Sequence, residues 1–566
     1  MLRRSKPPST RRTEIQHIYQ CYTSDEMTMP ACALLRFLHK EQMELTANQE
    51  TVEGLIDRYE IEETARASRT MTFEGFLRYM ESMDCCVFDQ SHTTVYQDMD
   101  LPLHNYFISS SHNTYLTGDQ LVGKSHLDAY VCALRKGCRC LEIDCWDGAD
   151  VEPVVYHGHT LTTKILFKDV ITTVEQHAFQ VSPYPVVLSL ENHCSQGQQV
   201  VMAQYLVSIL GDKLLRTPLD VPTSGKLPSP NDLKYKILIK NKKLKPRSET
   251  EDIVAGREGE GVVSEEEEED EEEEGEDEEV DQERLQSRLK FWSPRKKEQK
   301  KAVVAEALSD LVVYTGSVKF TSFRHSEDNQ NFCENTSIGE NKARKLARTS
   351  GPEFVEHNQK FLTRIYPAGS RTSSSNYNPQ EFWNVGSQLV ALNFQSLGLP
   401  MDLNNGRFQD NGRCGYVLKP EMLRSSQSSF DPSCCEPSPG PAQLLLKVIS
   451  GSTLPVPRSG KALDPFVRVE IHGVASDTRR RSTATVKNNS LSPHWDAAMN
   501  FTIRVPELCL IRFTVRDQTG LLSSEFVGQY TLPFSSMKRG YRWIPLLSRE
   551  GCSLDPASLF IFVWYS

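Results

Sequence analysis

The sequence predicts a multidomain chain built around a (β/α)8 barrel of the TIM type, with a helical lobe before it and an all-β sandwich after it. Three observations carry this prediction. Apolar residues recur at helical spacing from residue 14 to about 88, short apolar strands alternate with helical segments from about 100 to 425, and closely spaced strands fill residues 442–566. A length of 566 residues suits about three domains.

The N-terminal lobe is predicted over residues 1–90. Its apolar positions recur every three or four residues, as expected for helices packed on one core. The run from Met71 to Phe76 looks like the exit from an EF-hand loop, but no aspartate-rich loop with glycine at its sixth position precedes it. We therefore expect a degenerate, EF-hand-like α-helical lobe whose loops do not bind calcium.

The barrel is predicted in two halves, residues 95–245 and 306–425. Short apolar strands separated by helical or loop segments fit a closed parallel barrel better than an open sheet. The predicted strands are Tyr106–Ser109, Cys140–Cys145, Val154–His157, Val186–Leu190, Ile237–Lys240, Leu311–Tyr314, Leu362–Tyr366 and Leu389–Asn393.

A low-complexity insertion, residues 246–305, splits the barrel. Fourteen acidic residues lie between Glu265 and Glu279, and a basic cluster follows at 295–301. The segment has too few apolar residues to offset the entropy of ordering it, so we expect disorder. It could be an inert linker, an acidic flap over the site, a basic membrane tether or a nuclear-import signal.

Composition narrows the classes of function. Removing the fourteen acidic charges from a net charge of −11 leaves +3, which suits a protein that visits anionic membranes. The sequence contains no basic stripe with interleaved aromatic residues, so it does not predict nucleic-acid binding. No apolar run approaches the length of a membrane span. The basic N-terminus leads into no apolar core, so it does not read as a secretory signal. Fifteen scattered cysteines suit reduced thiols in the cytosol or nucleus.

Polar side chains follow several of the predicted strands. Strand ends that converge from separate βα units are where a parallel barrel builds its active site. Asn113, Glu142, Asp144 and Glu191 offer hard oxygen ligands, which calcium prefers. Two histidines, His112 and His157, accompany them and could move protons or stabilise phosphoryl oxygens. The set predicts calcium-assisted attack on a phosphate ester.

Basic residues in the barrel predict an anionic ligand. Arg364 lies inside an otherwise apolar strand, where an unpaired charge is costly. Lys240 and Lys242 follow another strand and are spaced to face one way, although a solvated surface run explains them as well. A headgroup that carries extra phosphates would satisfy these charges.

At these residues the chain resembles a family, the eukaryotic phosphoinositide-specific phospholipases C. The runs that carry the resemblance to the X and Y halves of that family are SSSHNTYL, CRCLEIDCWDG, PVVYHGHTLT, VVLSLENHCS, ILIKNKKL, RIYPAGSRTSSSNYNPQEFWN and GRFQDNGRCGYVLKP. The resemblance covers nearly the whole chain. It implies that the sandwich, 442–566, is a C2 domain reached through a Ser/Pro-rich linker at 426–441.

The resemblance also implies the site and the reaction. The catalytic residues would be His112 and His157, and the calcium ligands would be Asn113, Glu142, Asp144 and Glu191. Contacts to inositol phosphates would come from Lys240, Lys242, Ser337, Arg364 and Tyr366. The implied reaction cleaves phosphatidylinositol 4,5-bisphosphate through attack by the inositol 2-hydroxyl, giving a cyclic phosphate that water then opens. The expected partner is a phosphoinositide-containing membrane surface, which a cytoplasmic, peripheral monomer visits, with nuclear or perinuclear location also expected.

Within the family the chain resembles the zeta form more than the delta forms. The segment NTSIGENKARKL, the ending PASLFIFVWYS and the lack of a pleckstrin-homology domain support this. A delta-type enzyme without its amino-terminal domains and a catalytically silent scaffold are the alternatives. In the C2 block, Asp464, Asn488 and Asp517 match ligand positions of delta forms, whereas Thr519 and Glu525 replace two aspartates, so we expect little calcium binding there.

Overall fold

A computed structural model describes residues 10–23, 28–220, 225–244, 303–434, 440–456 and 460–566. The acidic run and the basic cluster of the predicted insertion lie outside the described residues. Its last three residues, 303–305, belong to the barrel, because Gln199 donates to the Val303 carbonyl and accepts from the Ala305 N–H. Contacts to Gln199 thus extend into the last three residues of the predicted insertion, whose boundary at 305 stays a prediction.

The N-terminal lobe is helical, as predicted. A short antiparallel pairing of Met29–Pro30 with Thr70–Met71 joins its two halves. Phe37 and Phe76 meet edge to face in its core, with ring centroids 5.1 Å apart. The helices are Thr10–Thr23, Ala31–Lys40, Gln49–Tyr59, Glu63–Ala67 and Phe73–Met80.

Eight parallel strands close the barrel, and we number them β1 to β8 in chain order. They are Ser110–Ser111, Cys140–Trp146, Val186–Asn192, Ile237–Lys240, Gly316–Val318, Glu334–Gly339, Leu362–Tyr366 and Leu389–Leu392. Each pairs with its neighbour, β8 pairs with β1, and a single bridge from Asn241 to Gly316 joins β4 to β5. Their carboxyl ends therefore meet at one rim.

Three predicted barrel strands are corrected. Tyr106–Ile108 pairs antiparallel with Tyr416–Leu418 outside the barrel ring, so β1 begins only at Ser110. Val154–Val155 pairs antiparallel with β2 and with Ile165–Leu166, forming a hairpin at the rim. Residues 311–314 are a turn whose Val312 side chain is fully buried, so apolar content there reflects core packing.

The sequence missed β1, β5 and β6. The longest of the three is β6. Its residues 334–337 are all polar, yet Asn335 and Thr336 are buried. Polar residues in a barrel interior hide the apolar signature on which strand prediction depends. The helices outside the strands are Leu127–Arg135, Phe167–His177, Gln196–Leu210, Glu306–Ser309, Phe323–Asn329, Glu340–Thr349, Gly351–Asn358, Gln380–Trp383 and Leu399–Phe408.

The C-terminal domain is the predicted sandwich. Its antiparallel strands are Ala442–Ser452, Pro465–His472, Arg479–Ser482, His494–Ile503, Leu510–Gln518, Ser524–Pro533, Gly540–Leu547 and Ser553–Tyr565. They form two groups of four that share a single register pair, Gln529 with Leu547. The inward-facing side chains of both groups build one apolar core.

Two chemical features agree with the sequence. Every cysteine in the described part of the chain is unpaired. No helix among the same residues combines the length and apolar character needed to cross a membrane.

The sandwich contacts both other domains through polar side chains. Gln42 of the lobe exchanges two hydrogen bonds with the Tyr541 backbone, and the Trp543 indole donates to the Ser82 carbonyl. On the barrel side, Arg512 donates to Asp402 at 2.8 and 3.1 Å and to Glu470 at 2.5 Å. One guanidinium thus serves carboxylates from two domains.

Burial opposes the charge of both acids, but the net shifts of their pKa values are opposite. It raises the pKa of Asp402 despite Arg512. It also opposes ionisation of Glu470, but His472 and Arg512 outweigh it and lower that pKa to about 2. Ionised Glu470 therefore stabilises the fold at pH values above the ordinary pKa of a glutamate, and this contribution is lost as the pH falls toward 2.

We expect Arg512→Gln to destabilise the junction of barrel and sandwich by about 3 kcal/mol, because it leaves two largely buried carboxylates without their cation. Calorimetric unfolding should show a lowered transition temperature. The exposed Arg480 of the same sandwich offers a matched control, Arg480→Gln, which should change little. Equal transitions for the two variants would contradict the role given to Arg512.

Candidate active site

Three predicted acidic residues converge at the rim where β2 and β3 end. Asp144 of β2 is the register neighbour of Glu191 of β3, and Glu142 lies one side-chain repeat before Asp144. Carboxylate oxygens of the three residues lie within 4.8 Å of one another. Among the described residues, no other group of three acidic, histidine or cysteine side chains is so close.

The groups around the cluster do not fully balance the negative charge of its carboxylates. Burial, followed by the charges of Glu191 and Glu142, raises the pKa of Asp144 well above its ordinary value. Asp144 Oδ2 accepts from the Tyr115 hydroxyl, but its buried Oδ1 has no hydrogen-bond partner. Such an orphaned oxygen beside two more carboxylates is the environment that a hard divalent cation satisfies.

Glu191 is the more readily ionised member of the cluster. Its side chain is 52% exposed, and His193 lies 3.0 Å from its Oε1. Dehydration opposes its charge, yet the His193 hydrogen bond and nearby positive groups lower its pKa overall. We therefore assign the negative charge to Glu191 ahead of Asp144.

Arg364 lies in the barrel interior and faces Glu142. Its Nη2 is 2.7 Å from Glu142 Oε2, and both side chains are almost fully buried. Burial opposes the guanidinium charge, but attraction by Glu142 outweighs it and raises the pKa of Arg364. The sequence predicted an anionic partner for Arg364, and in the structure that partner is the carboxylate of Glu142.

Asn113 follows β1 with a backbone φ of 40°. This left-handed conformation is one that asparagine tolerates better than most residues. The Asn113 N–H donates to Glu142 Oε2 at 2.8 Å, and its Nδ2 donates to Gln120 Oε1 at 2.8 Å. The second bond fixes which end of the amide is oxygen, because Gln120 Oε1 can only accept.

His112 is a half-buried imidazole whose tautomer the surroundings define. Its Nδ1 lies 2.9 Å from Asn393 Oδ1, while Asn393 Nδ2 donates to the Ser375 carbonyl. The Asn393 oxygen must therefore accept, which places the His112 proton on Nδ1 and leaves Nε2 with a lone pair. Burial lowers the pKa of His112 and favours this neutral form.

His157 reaches the same region from the rim hairpin instead of from a barrel strand. Its Nδ1 lies 2.7 Å from the carbonyl oxygen of Gln120, and its N–H donates to Thr162. A carbonyl can only accept, so the proton is again on Nδ1. Both imidazoles present Nε2 as the group that can take up a proton.

The predicted phosphate contacts lie on the neighbouring strands. Ser337 of β6 is the register partner of Arg364, and the Arg364 Cζ is 5.9 Å from the Tyr366 ring centroid. Lys240, buried at the end of β4, is the register partner of Ser189, which in turn pairs with Glu142. Lys242 lies two residues beyond β4 and is partly exposed.

Two residues that the sequence did not flag connect this site. Asn393 is the last residue of the predicted strand Leu389–Asn393, so the pattern of an apolar strand with a polar end could have found it. Gln120 lies in the loop after β1, and nothing in its local sequence marks it. It is buried, and its side chain bonds Asn113, Ser374 and Asn393.

The loops of the sandwich show a different arrangement. Lys487 Nζ lies 2.9 Å from Asp464 Oδ2, and the Asn488 N–H donates to Asp464 Oδ1. Asp517 Oδ1 accepts from the Asp464 N–H at 2.7 Å. Nitrogen donors thus contact Asp464 and Asp517. Little calcium binding at Asp464, Asn488, Asp517, Thr519 and Glu525 stays a prediction.

Comparison with family models matches four segments of the chain. Residues 99–243 match the phosphatidylinositol-specific phospholipase C X domain, and residues 308–422 match its Y domain. Residues 9–90 match the EF-hand-like region of phosphoinositide-specific phospholipase C, and residues 442–546 match the C2 domain. The chain belongs to the phosphoinositide-specific phospholipase C family.

Individual relatives refine this class. The chain is 49% identical to 1-phosphatidylinositol 4,5-bisphosphate phosphodiesterase zeta-1 of Rattus norvegicus, over 98% of this chain and 88% of that protein. It is also 49% identical to the zeta-1 protein of Homo sapiens, with 98% and 89% covered. The human delta-4 protein is 47% identical, with 98% and 72% covered. The predicted resemblance to the zeta form is confirmed.

A solved structure shares the whole architecture. The crystal structure of S. officinalis PLC21 superposes with a TM-score of 0.82 at 34% identity, covering 98% of this chain and 68% of that chain. The predicted fold class is therefore confirmed, with an EF-hand-like lobe, a split barrel and a C2 sandwich.

The acidic cluster predicts a calcium-dependent gain in stability. Saturation at about 100 times Kd should stabilise the folded chain by about 2.7 kcal/mol. We expect Asp144→Asn to abolish the resulting rise in unfolding temperature without lowering the calcium-free value, because the cluster opposes a charge on Asp144.

Thermal unfolding of the full chain with calcium and with chelator measures this difference. The exposed Asp150 allows the matched control Asp150→Asn, which should keep the calcium-dependent rise. An undiminished rise in Asp144→Asn would place the stabilising ion elsewhere.

Proposed function

We propose that this chain cleaves phosphatidylinositol 4,5-bisphosphate to diacylglycerol and inositol 1,4,5-trisphosphate, with calcium bound at the barrel rim. The observation that carries the proposal is the convergence of Glu142, Asp144 and Glu191 at the barrel rim. His112 and His157 each hold their proton on Nδ1 and offer Nε2.

Calcium fits the donors that are present. Asn113, Glu142, Asp144 and Glu191 are all oxygen ligands, and the orphaned Asp144 Oδ1 supplies an unsatisfied one. Zinc would favour nitrogen or sulfur. When bound, calcium would lower the pKa of the inositol 2-hydroxyl and neutralise charge on the phosphoryl oxygens. The Arg364 charge would then support Glu142 from the side of the barrel interior.

The histidines manage protons during the reaction. The 2-hydroxyl loses its proton as its oxygen bonds to phosphorus, and the bond from phosphorus to the glycerol oxygen breaks. The leaving alkoxide takes a proton, which an imidazole can deliver after accepting it at Nε2. The other imidazole would stabilise the phosphoryl oxygens after its Nε2 has taken up a proton from solvent and can donate to them. Water then opens the cyclic phosphate by the reverse proton transfers.

The remaining rim residues would recognise the phosphates of the headgroup. Lys240, Lys242 and Arg364 supply positive charge, and Ser337 and Tyr366 supply hydroxyl groups. Ser337, Arg364 and Tyr366 lie on two paired strands, so they can contact one phosphate together. This arrangement favours a substrate with phosphates beyond the scissile diester.

The setting of this activity is a membrane surface. The C2 domain and the lipid substrate favour peripheral attachment of a cytoplasmic monomer, with a nuclear or perinuclear fraction, and without nucleic acid. The resemblance to the zeta form implies a role in producing the intracellular calcium signal of egg activation. Hydrolysis of the lipid would generate that signal through inositol 1,4,5-trisphosphate.

His112→Ala should reduce hydrolysis by a factor of about 10² to 10⁴, because it removes proton transfer without disturbing lipid binding. Release of inositol phosphate from vesicles, at fixed free calcium, measures the loss. His325→Ala, at an exposed histidine of the barrel, should retain activity. Vesicle binding without product in the unmodified chain would instead indicate a silent scaffold.

Lys242→Met should weaken hydrolysis of phosphatidylinositol 4,5-bisphosphate about tenfold or more, because a charge-assisted contact to phosphate is lost. Hydrolysis of phosphatidylinositol, which lacks the extra phosphates, should change little. The ratio of kcat/KM for the two lipids reports this preference. The exposed Lys345 gives the control Lys345→Met, and an unchanged ratio in Lys242→Met would exclude its headgroup contact.

A further inference from the structure

We propose that Gln120 is a positioning residue that orients the amide of Asn113 and both imidazoles through one hydrogen-bond hub. This inference rests on the proposed function, because it concerns the same site. Gln120 lies in the loop after β1, and only 7% of its surface is exposed. We define the hub as Gln120 with its side-chain partners Asn113, Ser374 and Asn393.

The side chain of Gln120 uses both of its N–H donors and one lone pair of its oxygen. Its Oε1 accepts from Asn113 Nδ2 at 2.8 Å, and its Nε2 donates to Ser374 Oγ at 2.8 Å and to Asn393 Oδ1 at 3.3 Å. An amide has one acceptor oxygen and two N–H donors, so these three bonds define a single orientation. Reversing it would oppose two donors at Asn113 and two acceptors at Asn393.

That orientation passes directly to the residues that perform the chemistry. With Nδ2 of Asn113 held by Gln120, the amide oxygen Oδ1 is the end left for a cation. Asn393 Oδ1, held by Gln120 Nε2, also faces His112 Nδ1 at 2.9 Å and keeps the proton there. One amide therefore orients a proposed calcium ligand and supports the tautomer of a proposed catalytic histidine.

The backbone of Gln120 extends the same control to the second histidine. Its carbonyl oxygen is the acceptor for His157 Nδ1 at 2.7 Å, and its N–H donates to the Thr372 carbonyl at 2.8 Å. Next to it, the Leu121 carbonyl accepts from the Leu161 N–H at 2.9 Å. The loop after β1 is thereby attached to the rim hairpin and to the loop after β7.

If Gln120 only stabilised the loop after β1, replacing another residue that contacts this loop should have the same effect. Gln395 is such a residue. Its Nε2 donates to the Gly118 carbonyl at 3.2 Å, so it also braces the loop after β1. Among the residues that the structure describes, its side chain forms no hydrogen bond with Asn113, His112 or His157, which makes Gln395→Met the matched control for Gln120→Met. Methionine preserves the approximate length of glutamine and removes its hydrogen bonds.

Two measurements on the full chain test the hub. We expect Gln120→Met to raise the calcium concentration that gives half of the thermal shift by about 10- to 100-fold, the effect typical of losing a partner of a metal ligand. In vesicle assays at saturating calcium, kcat should fall at least tenfold while KM for the lipid stays within about twofold. Gln395→Met should leave both quantities near those of the unmodified chain.

Each outcome decides the proposal. A lowered calcium-free unfolding temperature in Gln120→Met, with normal calcium response and kcat at a temperature where it is folded, would show a merely structural role and overturn the hub. Equal losses in Gln395→Met would also overturn it. If His112→Ala remained as active as the unmodified chain, the proposed function would fail instead, whereas the calcium measurement would still judge Gln120.

Discussion

The arrangement of the barrel rim depends on the repulsion among three carboxylates that share a volume less than 5 Å across. Glu142 and Asp144 are nearly inaccessible to water, so their mutual repulsion is poorly screened. Arg364 compensates part of it from the barrel interior, and the raised pKa of Asp144 shows that the compensation is incomplete. A bound cation would relieve the remaining repulsion, and electrostatically unfavourable clusters of this kind are typical of functional sites.

The orientation of the amides and imidazoles is set by groups that can only accept a hydrogen bond. Backbone carbonyls at Ser375 and Gln120 act as fixed acceptors, and the amides of Asn393 and Gln120 relay their polarity to the imidazoles. Each of these hydrogen bonds decides whether the next group must donate or accept. Which ring nitrogen of each histidine carries the proton therefore follows from the fixed backbone acceptors. Outside the barrel strands, Arg512 of the sandwich donates to Asp402 and so joins the sandwich to the barrel domain.

Much of this was predictable from local sequence, and the exceptions share a cause. The lobe, the sandwich and most barrel strands have regular apolar spacing, and the three acidic residues lie on β2 and β3, which the spacing reveals. The polar strand β6 and the hairpin that carries His157 escaped correct prediction. In both cases the environment of the residues, and not their own character, decided the structure. Gln120 escaped for the same reason, since a buried glutamine in a loop looks like an exposed one until its partners are known.

The sequence by itself determined the order of domains, the family and the chemical types of the site residues, because these depend on residue identity and on periodicity along the chain. Only the tertiary structure decided that Glu142 meets Arg364, that Asp144 retains an unpaired oxygen, and that one glutamine joins two histidines. These facts depend on contacts between residues far apart in the chain. Closing eight strands into a ring creates such contacts, and no local pattern encodes them.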